Sequence, residues 1–475
     1  MTAPSVATQD GAPTATPRWR PPTWAVVVLV LTAAVVLTEV YAQALAPWIR
    51  RDDWPYLLPA RTPTATDVVA KNLNEGRWLN SAWWFVVGQH GTALSASLTY
   101  VTAYVVFVAG LWRQLRPTDR PLHWVVDALL GLAVFASALW VRLFYWPATL
   151  TPSLLVAALG VWTLPAASRS RARMGVWLLV GTVLSVLTYP PVGVVLFLCA
   201  VVQLRDRPWR DVVALSIGFL VSYAVGVGIV YVLNAIAFGH FGVQIAAWRR
   251  PNPLQSLHDL RVNVLRQLRH LGRLWGDLAL VGVVGLVAYV AALVDERVRP
   301  HVLRLLLGLL VVVGLAGAQT VVTGVVTDLR GELWAWLAVL LPAVLLLRGT
   351  GWSPRIGAAA LAVLAVVGIL AWRADIGAHQ DTRRQFTALV ERATAARPDG
   401  TRPPVVLYQP PAQRSTSRGA ITAGTLRMMV REAQDGVVPR WCAGAECTRI
   451  AAAGRSVVDL GPVVGIVVPP PPALL

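Results

Sequence analysis

Long apolar runs separated by short basic clusters set the pattern of this chain. Apolar segments near 24–47, 93–113, 121–141, 148–167, 174–188, 190–204, 212–236, 275–294, 303–325, 333–348 and 356–372 are mostly close to the roughly 20 residues that a helix needs to cross a bilayer. Basic clusters at 113–120, 168–173, 205–210, 295–304 and 348–355 read as cytoplasmic loops, because positive charge is retained on that side. An even number of crossings must then separate neighbouring clusters. The pattern predicts an all-α polytopic membrane protein of about eleven transmembrane helices, with the N-terminus cytoplasmic and the C-terminal domain outside. It divides into a polar tail (1–22), a membrane domain (23–373) and a small extracytoplasmic α/β domain (374–475).

Composition agrees with this reading. Over 475 residues 56% are hydrophobic and only 14% charged, which excludes an ordinary soluble chain. A net charge of +18 invites a nucleic-acid reading, but the arginines sit between apolar runs, so no nucleic-acid partner is expected. Lys71 is the lone lysine among 42 basic residues, and Ala, Val, Arg, Gly and Pro abound. That bias fits a high-GC bacterium such as an actinomycete, and the expected location is the bacterial plasma membrane. The first apolar run is too long for a signal-peptide core and lacks a small-residue cleavage site before the aspartates that follow it.

Parity places four sizeable segments outside. The first, 48–92, carries Asp52 and Asp53 directly after the first span, where paired carboxylates have no structural need and suggest chemistry at a membrane surface. Thr64 and Asp67 form a helix-start signal, and Gly76 in Asn74-Glu75-Gly76-Arg77 a helix stop. Trp78, Trp83, Trp84 and Phe85 supply interfacial bulk. Tyr189, Pro190 and Pro191 turn a short helical hairpin, either as a plain tight turn or as the lining of a cavity.

Outward-facing arginines form the second group of candidates. Arg249 and Arg250 precede an amphipathic run in which Leu254, Leu257, Leu260, Val264, Leu268 and Leu271 recur at helical spacing. Its arginines suit either a phosphate, which guanidinium grips in bidentate fashion, or anionic lipid headgroups. Arg142 and Arg330 lie in two further outer loops, as phosphate ligands or as snorkelling side chains. Asp328 and Glu332 flank Arg330 as alternative partners for it.

Past residue 374 the composition changes. Helical pieces near 382–396 and 421–433 and strand-like runs at 405–408 and 463–468 predict a small α/β domain. Cys442 and Cys447 there favour a disulfide over a metal site, since an outer location is oxidising and the spacing is wide for metal ligands. No phosphate-binding glycine loop, His-Glu-x-x-His or dinucleotide fingerprint occurs. Energy for a reaction must therefore arrive with the substrate.

At this point the chain resembles the membrane-embedded GT-C glycosyltransferases, which carry an acidic motif in the first outer loop. More narrowly, Asp52-Asp53, Asn74 to Trp78, Leu187 to Pro191 and Arg330 resemble the GtrII-type glucosyltransferase family, over the eleven-span region only. The sequence departs from that pattern in lacking a glutamine beside Tyr189. The resemblance implies inverting transfer of a sugar from a polyprenyl-phosphate donor to a cell-envelope glycan or glycolipid acceptor. Asp52 or Asp53 would be the general base, and Arg142, Arg249, Arg250 and Arg330 would bind the donor phosphate. Trp54, Arg77 and Tyr189 would contact substrate. The acidic pair leaves a divalent cation, Mg or Mn, as an option. Arabinofuranosyl- and mannosyltransferases share the architecture, and a lipid-linked glycan transporter or a noncatalytic envelope subunit are readings from other classes.

Overall fold

The computed structural model describes residues 23–51, 53–57, 70, 72–87, 92–117, 122–245, 249–395, 400–435 and 437–471. Asp52, Thr64 and Asp67 lie outside the described residues. The chain is mostly helical, with a small sheet at its C-terminal end. Its helices are α1 (Thr23–Leu45), α2 (Trp78–Val87), α3 (Ala93–Leu115), α4 (Trp124–Phe135), α5 (Pro147–Ala167), α6 (Arg171–Thr188), α7 (Pro191–Gln203), α8 (Trp209–Phe238), α9 (Leu257–Asp277), α10 (Ala279–Val294), α11 (Arg299–Thr323), α12 (Leu333–Leu346) and α13 (Ser353–Thr394).

Among the described residues, α3, α5, α6, α8, α11 and α13 are long and apolar enough to cross a membrane. A seventh crossing follows if α9 and α10, bent by 92°, count as one span. The sequence reading of eleven adds the shorter apolar helices: α4, α7, α12 and the part of α1 from Ala33. Length and composition alone carry six or seven.

Local chemistry explains most helix ends. Thr92, Ser170 and Ser256 accept amide hydrogens of the first turns of α3, α6 and α9, which have no intrahelical acceptor. Proline opens α5 and α7, where its missing N–H is not needed. The third predicted span stops early, at Phe135, and continues as a 3-10 coil over Trp140–Tyr145. Ser137 causes this, because its hydroxyl accepts from the amides of Leu139 (3.3 Å) and Trp140 (3.2 Å) and so competes with the helical ladder.

Gly76 has φ +89, and the amide of Arg77 donates back to the carbonyl of Asn72 at 2.9 Å, closing the short helical turn before α2 with a left-handed residue. A Cβ there would meet Val230 Cγ1 at 2.8 Å. Gly76→Ala should therefore lower stability by about 1–2 kcal/mol, measured as a drop in thermal unfolding midpoint.

The C-terminal sheet comprises β1 (Val405–Tyr408), β2 (Arg440–Trp441), β3 (Val457–Asp459) and β4 (Val464–Val467), in the order β2-β1-β4-β3. β1 pairs in parallel with β2 and β4, and β3 runs antiparallel to β4. Three helices accompany it: α14 (Pro411–Arg414), α15 (Ser417–Ala433) and α16 (Ala445–Ala452). Cys442 and Cys447 are disulfide-bonded, with Cα atoms 5.2 Å apart. The helical pieces expected at 356–372 and 382–396 prove to be parts of one helix, α13, which crosses position 374 without a break. Its end, with Phe386, Leu389 and Val390, packs against β1, β4 and α15, and this core also takes in Trp48 and Tyr145 from the earlier part of the chain.

Candidate functional site

The loop after α1 is held from several directions. Gln43 Nε2 donates to the carbonyls of Trp48 (3.0 Å) and Phe144 (3.3 Å). From α13, Gln380 donates to Ala46 O (2.9 Å) and Arg383 to Pro47 O (3.0 Å). The amide of Arg50 then donates to the Tyr145 carbonyl at 2.9 Å. This network carries the chain to Asp53, which is fully buried.

Asp53 faces the start of α5. Its Oδ2 accepts from the amide of Ala148 at 2.7 Å and its Oδ1 from that of Thr149 at 2.8 Å. These are first-turn amides without intrahelical acceptors, at the positive end of the helix dipole, so a carboxylate is the best-suited partner. Asp53 is thus a cap supplied from 95 residues away. Asp53→Ala leaves two buried amides unsatisfied and should cost about 3 kcal/mol, while Asp53→Asn, with one acceptor oxygen, should cost less. Thermal unfolding of the two variants against the wild type checks the order.

Trp146, just ahead of those amides, is the meeting point for two cations. The Arg330 guanidinium lies 4.0 Å from its ring centroid and that of Arg50 5.4 Å away. Arg330 sits in a 3-10 turn, Leu329–Gly331, and pairs with Asp328 at 3.3 Å. Its carbonyl accepts from the Tyr189 hydroxyl at 3.2 Å, so the turn between α6 and α7 fixes the height of the Arg330 loop. Tyr189 and Tyr100 line one cleft beneath that loop. Asp53 on the Ala148 amide, Arg330 on the Trp146 ring two residues earlier, and Tyr189 on the Arg330 carbonyl thus adjoin at one helix start.

Below it, Tyr100, Trp140, Leu150, Tyr189 and Leu333 line an apolar cleft of about 20 Å³. That is room for a water and not for a sugar ring.

Other predicted residues go elsewhere. Arg249 approaches Glu75 at 4.0 Å, and Glu75 pairs with Arg77 at 3.4 Å. Arg250 is exposed, at φ +50, and its carbonyl accepts from Arg266 at 3.1 Å. Trp54 is buried with Ile49, Tyr56, Leu57, Ala148 and Met428, its indole N–H donating to Ile49 O at 3.1 Å. Arg142 acts electrostatically with Arg50 on Tyr145 and His379. The Tyr145 hydroxyl donates to Asp375 at 2.5 Å, and its ring stacks on His379 with centroids 4.0 Å apart. Burial holds the His379 imidazole below its usual pKa, Asp375 opposes this, and the two arginines add to the lowering.

Sequence reasoning missed Arg50, Trp146, His270 and the buried role of Glu332. Glu332 accepts from Trp334 at 2.5 Å and contacts His270 Nε2 at 2.7 Å, tying α9 to the Arg330 loop. Nothing in the amphipathic period of α9 singled out His270, whose partner comes from a distant loop; Trp146 carried a signal in its place between an outer arginine and a helix-opening proline.

Both Asp53 oxygens are taken by amides, and among the described residues no three His, Cys, Asp or Glu side chains cluster. No family model matches the chain, and no curated protein or solved structure matches it either.

Proposed function

We propose that the chain is an integral membrane glycosyltransferase of the GT-C kind, with the eleven-span topology read from the sequence. It would move a sugar from a polyprenyl-phosphate donor to a cell-envelope glycan or glycolipid at the outer face. The observation that carries this reading is the joining of acid and cation at one helix start: Asp53 on the Ala148 and Thr149 amides, and Arg330 and Arg50 on Trp146 beside them.

The membrane setting draws support from the outer surface of the helices. Leu37, Val176, Ile236, Leu286, Val294 and Leu310 are among many large apolar side chains more than half exposed, which is costly in water and favourable in lipid. α9 supports an interfacial placement. Its stripe facing the protein is polar, with Asn263 bonded to Asn252 and Val321, Arg266 to Gly324, and His270 to Glu332. The apolar residues Leu257, Leu260, Val264 and Leu268 face outward, as suits a helix lying along a bilayer.

In the proposed reaction an acceptor hydroxyl attacks the anomeric carbon of the donor as a carboxylate takes its proton. The bond from that carbon to the phosphate oxygen breaks, its electron pair leaves with the lipid phosphate, and a single displacement inverts the configuration. Asp53 is engaged as the anchor of the loop, so Asp52 is assigned the role of base. Arg330 and Arg50 would stabilise the charge growing on the phosphate. Nothing in this sequence of steps runs through a metal ion.

The test is a vesicle assay with purified full-length chain, a polyprenyl-phosphate donor carrying a labelled sugar, and an envelope acceptor extract. Label in a new glycosidic bond, with release of polyprenyl phosphate, is the expected result. Passage of intact donor across the vesicle membrane without bond formation would instead establish a transporter.

A further inference from the structure

At the opposite end of the bundle, residues of α6, of α8 and of the loops before them line a cleft of about 410 Å³. Arg171, Arg207 and Arg210 stand at its mouth, and Met174, Leu178 and Leu215 line its depth. Arg171 pairs with Asp211 at 2.6 Å. Among the described residues Arg207 donates to the Ser168 carbonyl, at 3.3 Å, and no acid pairs with Arg207 or Arg210. One acid against three arginines leaves the mouth with a surplus of two positive charges.

The apolar part begins where the charge ends. Gly175 leaves it open, with no atom within 4 Å of the position its Cβ would take, while Gly218 lets Leu178 of α6 pack close to α8, 3.3 Å from where a Cβ would stand. From Asp211 to Ser222, both lining residues, α8 rises about 16 Å at the helical repeat. That is about half the ~30 Å hydrocarbon core of a bilayer, the depth of one leaflet.

Resting on the membrane setting proposed above, we infer that this cleft binds one anionic phospholipid of the cytoplasmic leaflet, its phosphate held by Arg207 and Arg210 and one acyl chain lying between α6 and α8. The excess positive charge matches an anionic headgroup. The depth matches an acyl chain, whereas a polyprenyl chain is longer than one leaflet. The residues are distinct from those of the outer site, so this lipid would be a bound structural partner and not the donor.

Native mass spectrometry of the purified full-length chain in detergent, titrated with phosphatidylglycerol and with phosphatidylcholine, tests the inference. The wild type should retain one phosphatidylglycerol in preference to phosphatidylcholine. The double variant Arg207→Ala/Arg210→Ala should bind it about tenfold or more weakly, as loss of two headgroup cations implies. Gly175→Leu fills the open groove, leaves the arginines in place, and should also expel the lipid, which guards against a charge variant that merely folds poorly. Equal retention in all three proteins, or no preference between the two lipids, overturns the inference. So does displacement by inorganic phosphate alone, which would mark a headgroup-only site, or by polyprenyl phosphate at lower concentration than phosphatidylglycerol. Sugar transfer is not read in this experiment; specific lipid retention by a chain without transferase activity would uphold the cleft and reject the enzymatic reading.

Discussion

Asp52→Asn is expected to lower the rate of sugar transfer at saturating donor by about 10²–10⁴-fold, the usual contribution of a general base, with little change in donor KM or in thermal unfolding. Asn is nearly isosteric with Asp and cannot take the acceptor proton. The contrast with its neighbour makes the result informative. Each Asp53 oxygen is committed to an amide of α5, so Asp53→Ala should lose stability together with activity, and Asp52→Asn should lose activity alone. Full activity in Asp52→Asn, beside an Asp53→Asn protein that folds normally and is inactive, would reverse the assignment. Steady-state transfer kinetics and a melting curve on each variant decide it.

Arg330→Ala carries the second large effect, a loss of about 10²–10³ in kcat, as expected for removing a donor aimed at charge that develops in the transition state. Its backbone supports the interpretation, because the Tyr189 hydroxyl bonds to the Arg330 carbonyl and that bond survives truncation of the side chain. Arg330→Lys should recover part of the rate, since an ammonium keeps the charge and loses the bidentate fork. Arg50, on the same Trp146 ring, should limit the loss. An Arg330→Ala enzyme with unchanged kcat and raised KM would mean that the side chain binds donor and transition state equally.

Local signals were legible in the sequence, and contacts between distant segments were not. The apolar runs lie within a few residues of helices such as α3 and α5, and Gly76 ends its helical turn in the left-handed conformation that a glycine in that place implies. Strand-like runs at 405–408 and 463–468 correspond to β1 and β4. The break after Phe135 was hidden, because hydrophobicity continues through it and only the Ser137 hydroxyl interrupts the ladder. α9 showed its amphipathic period, but not which stripe would face the protein; Asn263, Arg266 and His270 take that side because their partners come from α11 and the Arg330 loop.

The candidate site divides the same way. Residue type singled out Asp53 and Arg330. The cap that Asp53 makes depends on two amides 95 and 96 residues later, and nothing local in either segment announces it. Arg249 read as a phosphate ligand by charge alone, whereas in the fold Glu75 lies within 4.0 Å of it. Trp54, expected at the substrate, packs inward because the loop turns back at Asp53 and carries it against Ala148 and Met428.

The most direct test of the central claim is to locate the lipid phosphate. A photoactivatable polyprenyl phosphate, irradiated with the full-length protein in vesicles and mapped by peptide mass spectrometry, should label the segments at 142–150 and 327–334, and unlabelled donor should compete. Labelling confined to the cleft between α6 and α8, or spread over the bundle and insensitive to competition, would contradict the account.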